Sequence, residues 1–237
     1  MFGDFLVNII AGIALLVLGF ISRHVVTRFR TRATRRLWRG SVTGELTIAL
    51  STRKGRLPRS GTRTGFSEVR ALLALIPILS QIRVPYTVTE SLVSTANHVT
   101  NKHILLIGGP ESNELSRAAL SLMPLRFEIG DDPEARSFTI FGRCYESTYS
   151  PDKSLVEEDY GVVVRTLNPF SSDSSLTATL VMGSHGLGTG GAAQLLVDEH
   201  LVRRVAAQVP LHEFLVVVRV RSVGNDYVVK LEAVHAL

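Results

Sequence analysis

A single cysteine, Cys144, in a chain of 237 residues leaves no partner for an internal disulfide and no thiol set for a zinc cluster. That usage fits a reducing compartment. No base flanks Cys144 in FGRCYES, so an inert thiol is expected there and not a nucleophile. Aromatics are scarce at 7%, and they are not interleaved with a basic patch on the folded part, so no nucleic-acid partner is expected. Acids are nearly missing from residues 22–63, where about twelve Arg or Lys stand against Glu45 alone; with a total of +5, the rest of the chain is mildly acidic. Tandem repeats and low-complexity tracts are absent. With 45% hydrophobic residues the chain is not largely disordered, and its length suits one α/β domain plus an appendage.

Residues 5–21, FLVNIIAGIALLVLGFI, are nearly unbroken apolar sequence, and with their flanks reach the ~20 residues that span a bilayer. No basic region precedes the run and no small-x-small site follows it, which favours an uncleaved anchor over a signal peptide. Arginines crowd its carboxyl flank while Asp4 is the only charge before it, so the positive-inside rule puts the body of the chain in the cytoplasm and the N-terminus outside. The expected division is a transmembrane anchor at 1–22, a basic juxtamembrane linker at 23–43 that meets anionic lipid, and a cytoplasmic α/β ligand-binding domain at 44–237.

Within that domain, residues 45–51 read as a short strand and 52–65 as a basic loop, either a solvated connector or a flap that lays Arg53 over an anionic ligand. Residues 66–82 have helical spacing, with Pro77 expected to kink or end the helix early. HILLIGG, residues 103–109, is a buried-strand pattern followed by a helix that Ser112 or Asn113 can cap. Short strands are expected at 126–129 and 137–141 around an Asp131, Asp132, Pro133 turn, a polar loop at 145–158, and a strand at 160–166 that ends near Asn168. Residues 213–236 alternate and pivot on Gly224, Asn225 and Asp226, the pattern of a closing hairpin. The fold class expected is a three-layer Rossmann-like α/β sandwich with a mostly parallel sheet and a C-terminal hairpin, preceded by one transmembrane helix.

The stretch that carries a function is residues 176–194, LTATLVMGSHGLGTGGAAQ, an apolar run that breaks into glycines and continues as a helix pattern. A strand, a glycine loop and a helix N-terminus make an anion-binding arrangement. Gly108 and Gly109 repeat it upstream. If both strands are parallel in one sheet, both loops open on one crevice. The candidate ligand-binding residues are therefore Gly108, Gly109, Ser112, Asn113, Asn168, Gly183, Ser184, His185, Gly186, Gly188, Thr189 and Gly190, with Arg53 as counter-charge. Gly186, Gly188 and Gly191 also satisfy GxGxxG, but the acid that a dinucleotide site needs at the tip of the next strand is missing. No metal set and no catalytic group stand out: Ser184 and His185 are adjacent in sequence, and no GxSxG elbow is present.

At Gly186, Leu187, Gly188 and Thr189 the chain resembles the GGxGT loop of the Lonely Guy phosphoribohydrolases and their SLOG-type nucleotide-sensing relatives. The resemblance implies a Rossmannoid nucleotide-binding domain. It departs where the enzymes have a second glycine and a following glutamate, since Ser184 and His185 precede the loop here and Ala192, Ala193 and Gln194 follow it. That departure removes the acid expected to assist hydrolysis and keeps the backbone donors. The expected function is a membrane-anchored cytoplasmic sensor of a nucleotide or phosphate-bearing ligand in bacterial signalling or defence, with no required cofactor and with self-association through its anchors. A nucleotide hydrolase of N-glycosidic or phosphoester bonds and a non-catalytic interaction scaffold are the alternatives.

Overall fold

The computed structural model describes residues 31–54, 62–91, 99–130, 136–223 and 226–237. In chain order these form α1 (Arg32–Leu37), α2 (Arg39–Thr43), β1 (Leu46–Leu50), β2 (Arg53–Lys54), β3 (Thr62–Arg63), α3 (Phe66–Gln81), β4 (Tyr86–Glu90) and β5 (His103–Ile107). Then come α4 (Glu114–Leu122), β6 (Phe127–Ile129), β7 (Ser137–Ile140), β8 (Arg143–Glu146), β9 (Thr148–Tyr149) and β10 (Val156–Leu167). The last are β11 (Thr177–Gly183), α5 (Gly186–Val197), α6 (Glu199–Ala206), β12 (Phe214–Val223) and β13 (Asp226–Ala236).

One sheet of eight strands organises the domain, in the order β13-β12-β10-β11-β5-β1-β4 with β9 on β10. Its β11-β5-β1-β4 half is parallel, whereas β10 runs antiparallel to both β11 and β12, and β13 antiparallel to β12. The expectation of a mostly parallel sheet is therefore corrected to a mixed one. The cause lies in chain length: nine residues join β10 to β11, and a parallel crossover needs about a dozen or more. The terminal hairpin forms as β12 and β13.

Both faces of the sheet are covered, which is why β5 is buried at every position. On one face lie α1, α3, α5 and α6, with Leu37, Trp38, Leu75, Leu196 and Val205 packed on Ile48, Leu105 and Val216. The other face carries α4 and the small sheet β6-β7-β8, with Ala119, Phe138, Ile140 and Tyr145 on Ile104, Leu180 and Val217. The second cover is thus largely β, unlike the helical layer of a Rossmann sandwich.

Helix α3 continues to Gln81 with Pro77 inside it. The carbonyl that loses its partner there belongs to Leu73, an exposed residue, where the cost of the missing N–H is smallest. The helix that follows the glycine loop breaks at Asp198, whose carboxylate accepts the His200 and Leu201 amides and caps α6.

Residues 32–43, read from their arginines as linker, are two helices seated on the core, with Thr34, Leu37 and Trp38 buried. Helix α1 is gripped at both ends. The Glu199 carboxylate accepts the Ala33 and Thr34 amides at 2.8 and 3.0 Å and the Thr34 hydroxyl at 3.0 Å. At the other end the buried Arg165 guanidinium donates to the Leu37 carbonyl at 3.0 Å and lies over the Trp38 ring. An anion at the helix start and a cation at its end both suit the helix dipole. Glu199→Ala is expected to cost about 1–2 kcal/mol, the worth of a strong cap, and to speed proteolysis around α1; urea melts and a trypsin time course check both.

The expected transmembrane anchor is corrected as well. No helix among the described residues is long and apolar enough to cross a membrane. The longest of them, α3, has 16 residues, against the ~20 a span requires. The apolar run at 5–21 lies outside the described residues, and the single-pass membrane placement, the lipid partner and the cytoplasmic orientation drawn from it are not retained.

Candidate functional site

Helices leave the adjacent strands β5 and β11 toward opposite faces of the sheet: α4 packs on one side and α5 on the other. Such a divergence opens a gap at the carboxyl ends of the strands. A cavity of about 590 Å³ sits there. The turn after β5 contributes Gly109 and Ser112 to its lining, and the junction of β11 with α5 contributes Gly183, Ser184, His185, Gly186 and Thr189. Seven of the residues singled out from sequence thus meet in one hollow.

The others stand elsewhere. Gly108 lies beneath the first turn at φ +111°, where a Cβ would press on the Cβ of Ser51. Asn113 is fully buried, caps α4 by accepting the Ser116 amide, and ties β1 to β5 by donating to the carbonyls of Ala49 and Ile107. Gly188 and Gly190 are buried within α5, Gly188 against the Tyr160 carbonyl and Gly190 beside the Tyr227 hydroxyl. Asn168 is at the opposite edge of the sheet, because β10 runs antiparallel; it donates to Val99 and Lys102 carbonyls and accepts the Phe170 amide. Arg53 starts β2 of the short ribbon β2–β3, and residues 55–61, half of the basic loop, lie outside the described residues. Asp131, Asp132 and Pro133 lie outside them too.

Sequence reasoning missed the residue that governs the second turn. Asp159, in β10, is buried, and its carboxylate takes the amides of His185 and Gly188 at the start of α5. It also accepts the Ser147 hydroxyl at 2.8 Å and the Tyr160 amide at 2.9 Å. Burial pushes the Asp159 carboxyl up, and these donors pull against that shift. An internal carboxylate therefore sits at the helix N-terminus, where the glycine pattern alone suggests a phosphate. The close fit needs bare backbone: a Cβ on Gly188 would collide with the Tyr160 carbonyl, and one on Gly161 with the Gly188 carbonyl.

Around the cavity, Glu68 in the first turn of α3 accepts the Ser51 hydroxyl at 2.9 Å and the Ser67 hydroxyl at 2.7 Å. Glu111 and Arg136 form a half-exposed pair at 3.2 Å on the rim, a geometry worth at most about 1 kcal/mol. Phe127 and Phe138, stacked at 5.6 Å between centroids, line the wall formed by β6 and β7, with Val162 and Met182 beside them. No protein-family model matches the chain, and no curated protein matches it. What the site does must be read from its geometry.

Ser184 and His185 do not form a dyad. The His185 Nε2 is 2.6 Å from the Tyr149 hydroxyl, and that hydroxyl also accepts the Arg136 amide at 3.4 Å. The Ser184 Oγ is buried, borders the cavity, and has no hydrogen-bond partner among the described residues. Among those residues no group of three or more His, Cys, Asp or Glu is placed to hold a metal ion.

Burial lowers the pKa of His185, with Asp159 opposing, and lowers that of His103, with the Arg165 charge adding to the effect. His103 is the cleaner of the two, because its Nδ1 accepts the Thr177 amide at 3.1 Å and protonation there would break that bond. Its folded pKa lies below the unfolded 6.5, so the stability it contributes is present above that pH and is lost as pH falls through the folded value. The melting temperature is therefore expected to fall between pH 7.5 and 5.5, with a flatter profile in His103→Gln; calorimetry at the two pH values checks it.

Proposed function

We propose that the cavity binds a small nucleotide-class ligand and that this domain recognises its guest without turning it over. The observation that carries the reading is the meeting of two glycine turns, from two parallel strands, in one hollow at the carboxyl edge of the sheet. Open α/β sheets take ligands at that place, and the volume falls within the roughly 300–1,000 Å³ usual for small-molecule sites. The unpartnered Ser184 hydroxyl supports it, since buried polar atoms without partners are few in native proteins. The resemblance of Gly186, Leu187, Gly188 and Thr189 to a nucleotide-sensing loop points the same way, with one change. Because Asp159 holds the Gly188 amide, a phosphate would meet the Gly109–Ser112 side of the cavity and Arg136, away from the start of α5. Recognition is preferred over hydrolysis because His185 is tied to Tyr149 and does not address Ser184.

The test is incubation of the full chain with a panel of nucleosides and nucleotides, followed by native mass spectrometry and by chromatography of the panel. A bound nucleotide with the panel intact is the expected result. Loss of panel material would replace the reading with the hydrolase, and absence of any bound species would leave a scaffold.

A further inference from the structure

The cavity is chemically two-sided. Its one side, under β6 and β7, is aromatic: Phe127 and Phe138 stack there, and Phe138 continues into Tyr145 at 5.3 Å. Its other side, at the start of α3, presents the Glu68 carboxylate. Between them runs the rim of the sheet, with the two turns and the orphan Ser184 hydroxyl.

Glu68 is fixed in place for reasons that do not involve the core. Each of its oxygens accepts one serine hydroxyl, Oε1 from Ser51 and Oε2 from Ser67. An ionised carboxylate offers about four acceptor positions. Two of the four remain, one on each oxygen. A carboxylate has only acceptors to offer, so the group that satisfies it must bring donors, and two donors side by side fit best. Adjacent hydroxyls on a sugar ring supply them. An aromatic surface suits the flat face of a base, and a nucleoside carries both parts at opposite ends.

We propose that Glu68 is the specificity-determining residue of this cavity and that it reads the 2′,3′-diol of a ribonucleoside whose base lies against Phe127. The inference rests on the nucleotide reading above and adds to it a choice between ribose and deoxyribose. Ser51 and Ser67 act as positioning residues that hold the carboxylate toward the diol. Glu111 takes no part in this, since its carboxylate is engaged by Arg136 on the rim.

The measurement is calorimetric titration of the full chain with adenosine, guanosine, cytidine and uridine, with their 5′-monophosphates, and with the 2′-deoxy counterpart of each. The expected result is binding of at least one ribo form, with its deoxy counterpart weaker by about tenfold or more, the worth of one hydrogen bond to a charged group. In Glu68→Gln that ratio is expected to shrink toward one, because the amide keeps the shape but offers a single acceptor oxygen. Should that variant fail to fold, the ribo-to-deoxy ratio of the unmodified chain decides alone. Equal affinity for both sugars would overturn the diol assignment and leave the nucleotide reading standing. Binding by none of these compounds would overturn both.

Discussion

Replacing Asp159 by alanine is expected to destabilise the fold by about 3–5 kcal/mol, the largest effect of any single side chain around the cavity. The carboxylate accepts four donors: the Ser147 hydroxyl and the amides of Tyr160, His185 and Gly188. Truncation strands all four, two of them at the start of α5, and an unsatisfied buried donor costs about 1–3 kcal/mol. The sum is not additive, because the second turn can relax and water can enter from the cavity side. Asp159→Asn should cost less, since an amide oxygen can still serve the α5 amides and the Ser147 hydroxyl can turn to accept from its NH₂, leaving only the Tyr160 amide unsatisfied. Urea denaturation followed by circular dichroism reads both variants. A midpoint for Asp159→Ala equal to that of the unmodified chain would show that α5 does not depend on this cap.

The second large effect belongs to Gly188→Ala, where the added methyl has no room. It would overlap the Tyr160 carbonyl oxygen, with the Tyr160 carbonyl carbon at 2.7 Å and Asp159 Oδ2 at 2.8 Å. Two of those atoms are main chain in the middle of the sheet and cannot rotate aside. Overpacking commonly costs about 1–3 kcal/mol, and the rigid backbone puts this site at the upper end. At about 2–4 °C per kcal/mol for a domain of this size, a fall of roughly 6–12 °C in Tm is expected. Gly109→Ala is the control, because nothing lies within 4 Å of its added methyl, and its Tm should stay within about 2 °C. The contrast also means that loss of binding in Gly188→Ala would say little about ligand contact, while loss in Gly109→Ala would be informative.

Much of the fold is legible in the residues. The apolar runs that become β1, β5 and β11 and the alternation of the β12–β13 hairpin are local patterns, so their periods give them away. The two turns on the cavity were visible for the same reason, each being a glycine break after a buried strand. The direction of β10 was readable in principle from the nine residues that separate it from β11, but its valine run looks the same in either direction. Helix α1 hides its pattern under charge: Ala33, Thr34, Leu37 and Trp38 are buried at helical spacing among exposed or half-exposed arginines.

The partners of the site were harder, because their roles are made by distant contacts. Asp159 and Gly188 are 29 residues apart, and Tyr149 and His185 are 36 apart. Nothing local marks Glu68 as more than an acid in the first turn of a helix. One weak signal was present at Asp159, an acid just before the apolar YGVVV run of β10, where a buried charge needs donors brought from elsewhere. The aromatic wall went unnoticed because β6 and β7 belong to a separate small sheet, and no spacing in sequence says that it will lean over the main one.

The glycines of α5 carry a kinetic consequence. Gly186, Gly188, Gly190 and Gly191 lie in its first half, and each weakens an isolated helix by about 1 kcal/mol relative to alanine. A peptide of this segment would be a coil in water, since short helices are marginal even with good formers. The helix can persist only once β10 and β12 offer the surface it presses on. During folding the sheet is therefore expected to assemble before this helix, and the cavity, lined in part by Gly186 and Thr189 of the helix, is expected to form late.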